Sequence, residues 1–341
     1  MTQKELDTEQ LQNAIESLVT MGGGDPETFE GQLISQLIES SLKLIRDGHD
    51  TGQLKLISRS LREMRYAYRV FNTYKGTKRI SIFGSARTPE SHPDYQAAKT
   101  FSAMMADHKW MCITGAANGI MKAGLEGPKK GSSFGLCIRL PFEVPINTVI
   151  EGDPKLIIFR YFFTRKLMFI SHSDAVAVFP GGVGTLDELF EVLTLIQTGK
   201  TTIIPVVLCE GENGIYWHNW QQYLRDHLLK NGWICEADQS LYYKASSPDD
   251  AMNHIIKFYK RYHSSRYVKE MLVIRLTETL SDEQVAILNK QYERLIKSGK
   301  MEMSSPQPGE TDHLDLPRLV FHHTRVDYGI VRQLIDSIND F

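Results

Sequence analysis

From Lys78 onward the chain alternates short apolar runs with helical segments, and no other feature constrains its fold so strongly. The runs are Ile80–Phe83, Trp110–Thr114, Ser133–Ile138, Ala175–Phe179 and Ile203–Leu208. Between them lie helix-like stretches at Tyr95–Ala106, Ile120–Leu125, Tyr161–Ser171 and Thr185–Thr198. Strand, helix, strand in repetition predicts a parallel sheet with helices on both faces, whose strands read as unbroken apolar runs because neither face meets water. The expected class is α/β, a doubly wound parallel sheet over residues 76–263. Two additions flank it: a helical extension over 1–75 and a small α+β appendage over 264–341.

In the extension, "MGGGDPETFEG" (Met21 to Gly31) separates a first helix from a later pair. Leu54, Ile57, Leu61, Met64, Tyr68 and Phe71 recur at spacings of three and four, one apolar stripe on a helix. Such a stripe packs on its own domain or forms a subunit contact. In the appendage, Lys269–Leu276, Met301–Ser304 and Arg318–Phe321 read as strands, and Asp282–Leu295 and Tyr328–Ile338 as helices. Ser281 ahead of Asp282 and Glu283 marks a helix start. The adjacent pair His322 and His323 diverges and has no third ligand, so no metal site is expected there.

Composition narrows the class. With 341 residues, 42% hydrophobic and 23% charged, the chain buries a sizeable core. A net charge of −2 gives no global attraction to nucleic acid or anionic membrane. The charge is uneven: residues 1–40 hold eight acids and one Lys, whereas 41–79 hold ten Lys or Arg and three acids. Cys112, Cys137, Cys209 and Cys235 form no CxxC pair and read as buried reduced thiols. The polar start MTQKELDTEQ is no signal peptide, and no apolar run reaches the ~18 residues of a membrane span. A cytoplasmic protein is expected.

In a sheet of this kind ligands bind at the carboxyl ends of the strands. The loops there are "FGSART" (Phe83 to Thr88), "TGAANGIM" (Thr114 to Met121) and "PGGVGTLDE" (Pro180 to Glu188). Each offers backbone N–H groups at a helix start, an anion site. GxGxxG, GxxxxGK[ST] and HExxH are all absent, which argues against a standard dinucleotide site, a Walker triphosphatase and a zincin. In the third loop Gly181, Gly182 and Gly184 permit positive φ and close approach of a ligand. Three exceed what a turn needs, at a cost of about 0.5–1 kcal/mol each relative to Ala. Thr185 is placed to donate to a phosphate. Thr185-Leu186-Asp187-Glu188 is also a T-x-x-E capping box, so a capping and a catalytic role are both open to Glu188. Arg165 and Lys166, in "FFTRKLMF", put two cations at a helix start where the macrodipole disfavours them, unless an anion lies near. Glu143, between two prolines in "RLPFEVPINTVI", is placed to accept an amino group of a base or else is simply exposed.

Together "PGGVGTLDE" and the upstream "TRKLMF" resemble the PGGxGTxxE and RK signature of the lonely-guy (LOG) phosphoribohydrolases, a family long labelled lysine decarboxylases. "FGSAR", "TGAANGIM", "GLCIRLPFE" and "DELFEVLTLIQTGK" resemble its larger bacterial branch, which includes nucleoside monophosphate nucleosidases, and the likeness covers roughly residues 78–260. The resemblance implies a Rossmann-like catalytic domain and hydrolysis of the N-glycosidic bond of a nucleoside 5′-monophosphate, AMP or a cytokinin riboside 5′-monophosphate. It implies Arg165 and Glu188 as the catalytic pair. Around them it implies a substrate site of Gly84, Ser85, Gly115, Asn118, Glu143, Lys166, Gly181, Gly182, Val183, Gly184, Thr185, Asp187 and Thr194. No cofactor or metal is implied, and a homodimer or higher homo-oligomer is, with the Leu54–Phe71 stripe as one candidate contact. Two departures bear on the substrate. Ala116 and Ala117 stand where the family commonly has glycines, and Lys122 where it commonly has Glu. A non-catalytic carrier or sensor of a nucleotide-like ligand, such as molybdenum cofactor, is the alternative reading; the presence of both Arg165 and Glu188 favours the enzyme.

Overall fold

The structure is a computed structural model that describes residues 3–128, 131–141 and 146–341, with side chains from Thr8 on. Glu143 lies outside the described residues. The chain forms two compact units, Met1–Arg65 and Tyr66–Phe341.

The first unit holds α1 (Gln3–Met21), α2 (Phe29–Lys43) and most of α3 (Thr51–Asn72). The Gly/Pro break between α1 and α2 is a tight corner in which Thr28 caps α2 by accepting the Gly31 N–H. Gly31 itself packs on that corner, where a Cβ would stand 1.9 Å from the Asp25 carbonyl oxygen. The α3 stripe is not buried as a whole: Leu54, Ile57 and Leu61 are 40–44% exposed. Only its last member, Phe71 in the second unit, is enclosed, stacked between Phe134 and His172.

The second unit begins with β1 (Arg79–Phe83), α4 (Pro93–Asp107), β2 (Met111–Thr114), α5 (Ile120–Glu126), β3 (Ser133–Ile138) and β4 (Leu156–Phe159). It continues through α6 (Phe162–Ser171), β5 (Ala175–Val178), α7 (Val183–Gln197), β6 (Val206–Leu208), α8 (Tyr216–Tyr223), β7 (Tyr243–Lys244) and α9 (Pro248–Phe258). The seven strands form one sheet in the order β4-β3-β2-β1-β5-β6-β7, every pairing parallel. This is the doubly wound, Rossmann-like α/β fold. Ile80, Ile82, Ala175, Ala177 and Val207 of the strands pack with Ala98, Phe101 and Met105 of α4 and with Ala251 and Ile255 of α9. Two strands escaped the sequence reading: β4, "LIIF", is apolar but only four residues long and runs almost directly into α6, and β7 is two residues long.

A second, antiparallel sheet joins β8 (Tyr262–Val268), β9 (Met271–Leu276), β10 (Ile296–Ser304) and β11 (Arg318–His323) in the order β10-β11-β9-β8. β8, "YHSSRYV", is too polar to be recognised without its partner. α10 (Asp282–Gln291) starts with a full capping box between Ser281 and Gln284. α11 (Tyr328–Asp340) packs between the two sheets: the Asn339 side chain accepts the N–H groups of Arg261 and Tyr262 and donates to the Phe258 carbonyl. His322 bonds Ser298 and His323 bonds Tyr267. All four cysteines are free; Cys112 and Cys209 are buried, Cys137 is half-buried, and Cys235 is exposed, contrary to the expected burial, because it opens a short surface turn of helix at Glu236–Leu241. Among the described residues no helix is long and apolar enough to cross a membrane.

Candidate active site

β1 and β5 lie side by side, and the chain winds away from them in opposite directions, to β2 and to β6. Their carboxyl ends therefore diverge into a crevice, the place where open α/β sheets hold ligands. Ser85 ties the three glycine loops together there. Its N–H donates to the Pro180 carbonyl at 3.1 Å, and its carbonyl accepts the Ile120 N–H at 3.0 Å. Gly84 and Gly119 make this junction fit. A Cβ on Gly84 would stand 2.6 Å from the Ile120 side chain, and one on Gly119 would stand 2.2 Å from the Ser85 carbonyl oxygen.

The third loop differs from its sequence reading in two respects. α7 starts at Val183, with Gly182 in the N-cap position and no side-chain cap. Thr185 is thus inside the first turn, its N–H 3.1 Å from the Gly182 carbonyl, and the capping box does not form. Glu188 falls on the second turn, beyond reach of the helix's free N–H groups. Nor do Gly181, Gly182 and Gly184 adopt positive φ. Gly181 is required by packing, since a Cβ would meet Thr185 Oγ1 at 2.1 Å, whereas Gly182 and Gly184 face open space. Those two leave the uncapped N-terminus of α7 bare, which is what an anion needs in order to reach its N–H groups.

α6 supplies the cations. Arg165 is sunk beside Glu188, its Nε donating to the Leu136 carbonyl at 2.7 Å and its guanidinium 5.1 Å from the Phe169 ring centroid. Burial lowers its pKa, and the Glu188 charge opposes this. Space for its head depends on Gly115, where a Cβ would stand 2.4 Å from Arg165 Nη2 and from Met121 Sδ. Lys166 turns to α7 instead. Its Nζ is 2.8 Å from Asp187 Oδ2, 2.8 Å from Glu191 Oε2 and 3.9 Å from Glu188 Oε2. Burial would lower the Lys166 pKa, but the hydrogen bonds to Asp187 and Glu191 outweigh it and raise it. The sequence puzzle of two cations at a helix start is thus resolved by a backbone carbonyl and three carboxylates.

Glu188 is 8% exposed, and its Oε2 finds no hydrogen-bond partner among the described residues. Burial raises its pKa to about 7, against the lowering pull of Lys166 and Arg165. A carboxylate held in this state, buried and with Oε2 lacking a hydrogen bond, is poised to exchange a proton near neutral pH.

These groups enclose a cavity of about 630 Å³. Of the residues expected in a site, Gly84, Ser85, Gly115, Arg165, Gly182, Val183, Gly184, Thr185, Asp187 and Glu188 line it. Gly181 and Lys166 stand behind the lining. Neither Asn118, exposed in the loop before α5, nor Thr194 lines the cavity; Thr194 is exposed near the far end of α7, which runs away from the crevice at about 1.5 Å per residue. Ala86, Arg87, Met121 and Phe162 line it without having been singled out. Arg87 carried a signal, a cation in a glycine loop at a strand's carboxyl end. Met121 and Phe162 read as ordinary core residues. Of the departures noted above, Ala116 is buried with φ of +62° behind the cavity, and Lys122 pairs with Glu90 and Glu126 on the surface; neither lines it.

Residues 114–255 match the protein family described as "Possible lysine decarboxylase". The cytokinin riboside 5′-monophosphate phosphoribohydrolase LOG1 of Arabidopsis thaliana is 30% identical over 142 residues, 41% of this chain and 63% of that protein. The chain therefore spans under two thirds of the curated relative it matches. Among solved structures, the molybdenum cofactor binding protein of Rippkaea orientalis is similar at 19% identity and a TM-score of 0.39, over 53% of this chain and 97% of that one. The Moco carrier protein of Chlamydomonas reinhardtii is similar at 18% identity and 0.37, over 53% and 96%. Arg165, Pro180–Thr185 and Glu188 all lie inside the matched stretch, so it is over residues 114–255, the candidate site included, that this chain is similar to the lonely-guy (LOG) family.

Proposed function

We propose that this protein hydrolyses the N-glycosidic bond of a nucleoside 5′-monophosphate, AMP or a cytokinin riboside 5′-monophosphate, to free base and ribose 5-phosphate. The observation that carries the reading is Glu188, a buried carboxylate whose Oε2 has no hydrogen-bond partner among the described residues, lining the same cavity as the bare N-terminus of α7. The likeness to a named phosphoribohydrolase supports it.

The chemistry follows from the charges. The phosphate sits on the first turn of α7, against Gly182, Gly184 and Thr185, and this places the ribose over the second turn. As the C1′–N bond lengthens, its electron pair leaves with the base and positive charge grows on the sugar. Glu188 as carboxylate stabilises that charge and takes a proton from the water that adds to C1′, which balances the proton taken up by the departing base. Arg165, fixed by Leu136 and Phe169, orients the sugar and steadies Glu188 in its charged form. The "lysine decarboxylase" description has no counterpart in this cavity: no lysine lines it among the described residues, and Lys166 is committed to carboxylates.

The test is a panel of nucleoside 5′-monophosphates, N6-prenylated AMP included, with free base and ribose 5-phosphate quantified. Release by the wild type, lost in Glu188→Gln and Arg165→Ala with the fold intact, is expected. Tight binding across the panel without any base release would overturn the enzyme reading in favour of a carrier.

A further inference from the structure

Three cations surround the cavity, and two of them are already engaged. Lys166 is hydrogen-bonded to Asp187 and Glu191. Arg165 spends its Nε on the Leu136 carbonyl and lies against Glu188, whose charge it feels. Arg87 is different. Its side chain is exposed, it lines the cavity, and among the described residues it has neither ion pair nor hydrogen bond at its guanidinium. Its backbone is nonetheless fixed, because its N–H donates to Ser85 Oγ at 3.1 Å and Ser85 is the junction of the three loops. An arginine on a fixed turn loses less freedom on binding than one on a free loop, and its planar fork suits the oxygens of a phosphate.

The charge balance of the cavity makes this cation matter. Among the described residues its lining carries two carboxylates, Asp187 and Glu188, and two guanidiniums, Arg87 and Arg165. A phosphate monoester brings up to two more negative charges close to Glu188. The α7 N-terminus offers about half a positive charge, too little alone to offset them.

We infer that Arg87 is the specificity residue for the phosphate, closing on the ester together with the α7 N-terminus that lines the same cavity and making the site select phosphorylated over unphosphorylated ligands. This rests on the nucleotide reading of the cavity, but it concerns binding and stands or falls separately from turnover.

Titration calorimetry with ribose 5-phosphate, inorganic phosphate and ribose tests it on the full chain. Arg87→Ala is expected to weaken ribose 5-phosphate and inorganic phosphate by about tenfold or more, the loss of one charge-assisted contact. Arg87→Lys recovers part of the loss by keeping the charge without the fork. In a turnover assay the same variant raises KM for the nucleotide more than it lowers kcat. Circular dichroism and melting are expected to be unchanged, since the side chain is exposed. Equal affinity of wild type and Arg87→Ala for ribose 5-phosphate overturns the inference, as does failure of the wild type to prefer ribose 5-phosphate over ribose. If Arg87 governs phosphate binding and no nucleotide is cleaved, the inference holds and only the hydrolase reading falls.

Discussion

Lys166 Nζ stands 3.9 Å from Glu188 Oε2, too far for a hydrogen bond and close enough for its charge to act. The buried carboxylate is therefore tuned without being tied. Burial pushes its pKa up, and Lys166 and Arg165 hold it at about 7 while Asp187 and Glu191 push the other way. Two consequences are measurable.

The first concerns rate. In the proposed reaction Glu188 works as a carboxylate, so kcat/KM is expected to fall as pH drops through about 7. Lys166→Met removes a lowering charge and shifts that limb upward. A flat profile between pH 5 and 8 would exclude Glu188 as the base.

Stability gives the second. A group whose pKa is raised on folding stabilises the fold below its unfolded value and loses that contribution as pH rises through the folded one. Glu188 is raised from 4.5 to about 7, so the loss falls across that window. Glu188→Gln is expected to melt like the wild type near pH 4 and above it at pH 8, by about 3 kcal/mol at most. Denaturant titrations at both pH values check this. A variant less stable at pH 8 would restore the structural, capping account of Glu188.

Glycine by glycine, the site separates packing from binding. Gly115→Ala drives a methyl against Arg165 Nη2 and Met121 Sδ, and Gly181→Ala drives one against Thr185 Oγ1. Both are expected to destabilise by about 1–3 kcal/mol and to cost activity by displacing Arg165 or Thr185. Gly184→Ala meets open space inside a helix and is expected to gain about 0.5–1 kcal/mol of stability while weakening phosphate binding. Melting and ribose 5-phosphate titration of the three variants would separate these effects.

Far from the cavity, Glu310 anchors the antiparallel sheet. Its carboxylate is enclosed between Arg275 at 2.7 Å and Arg318 at 2.9 Å, and it accepts the Gln307 N–H. Burial alone would raise its pKa, but these bonds outweigh it and hold it at about 2. A depressed carboxylate stabilises above its unfolded pKa and loses the contribution as pH falls toward the folded one, here between 4.5 and about 2. Glu310→Gln leaves two buried guanidiniums short of charge and is expected to cost about 3–5 kcal/mol at pH 7. It should also flatten the acid unfolding curve in that window, which denaturant titration against pH would show.

The sequence by itself determined the central sheet and the identity of the loops. Ile80–Phe83, Ser133–Ile138 and Ala175–Phe179 are apolar but for Ser81 and Ser133, because both faces of a parallel strand are covered, and glycines cluster where backbone must meet backbone. That pattern is local and survives without the fold. The role of Glu188 was not legible in the same way. T-x-x-E permitted a cap, and only the start of α7 two residues earlier, at Val183, moved Glu188 off the helix terminus and into the cavity wall. The reasons for Gly115 and Gly181 were hidden likewise, since each is a glycine for the sake of an atom distant in sequence or one turn along: Arg165 Nη2 for the first, Thr185 Oγ1 for the second. β7, β8 and the guanidinium of Arg87, without an ion pair among the described residues, also waited on tertiary structure. A short or polar strand exists only through its neighbour, and a cation is known to be unpaired only once every carboxylate around it has been placed.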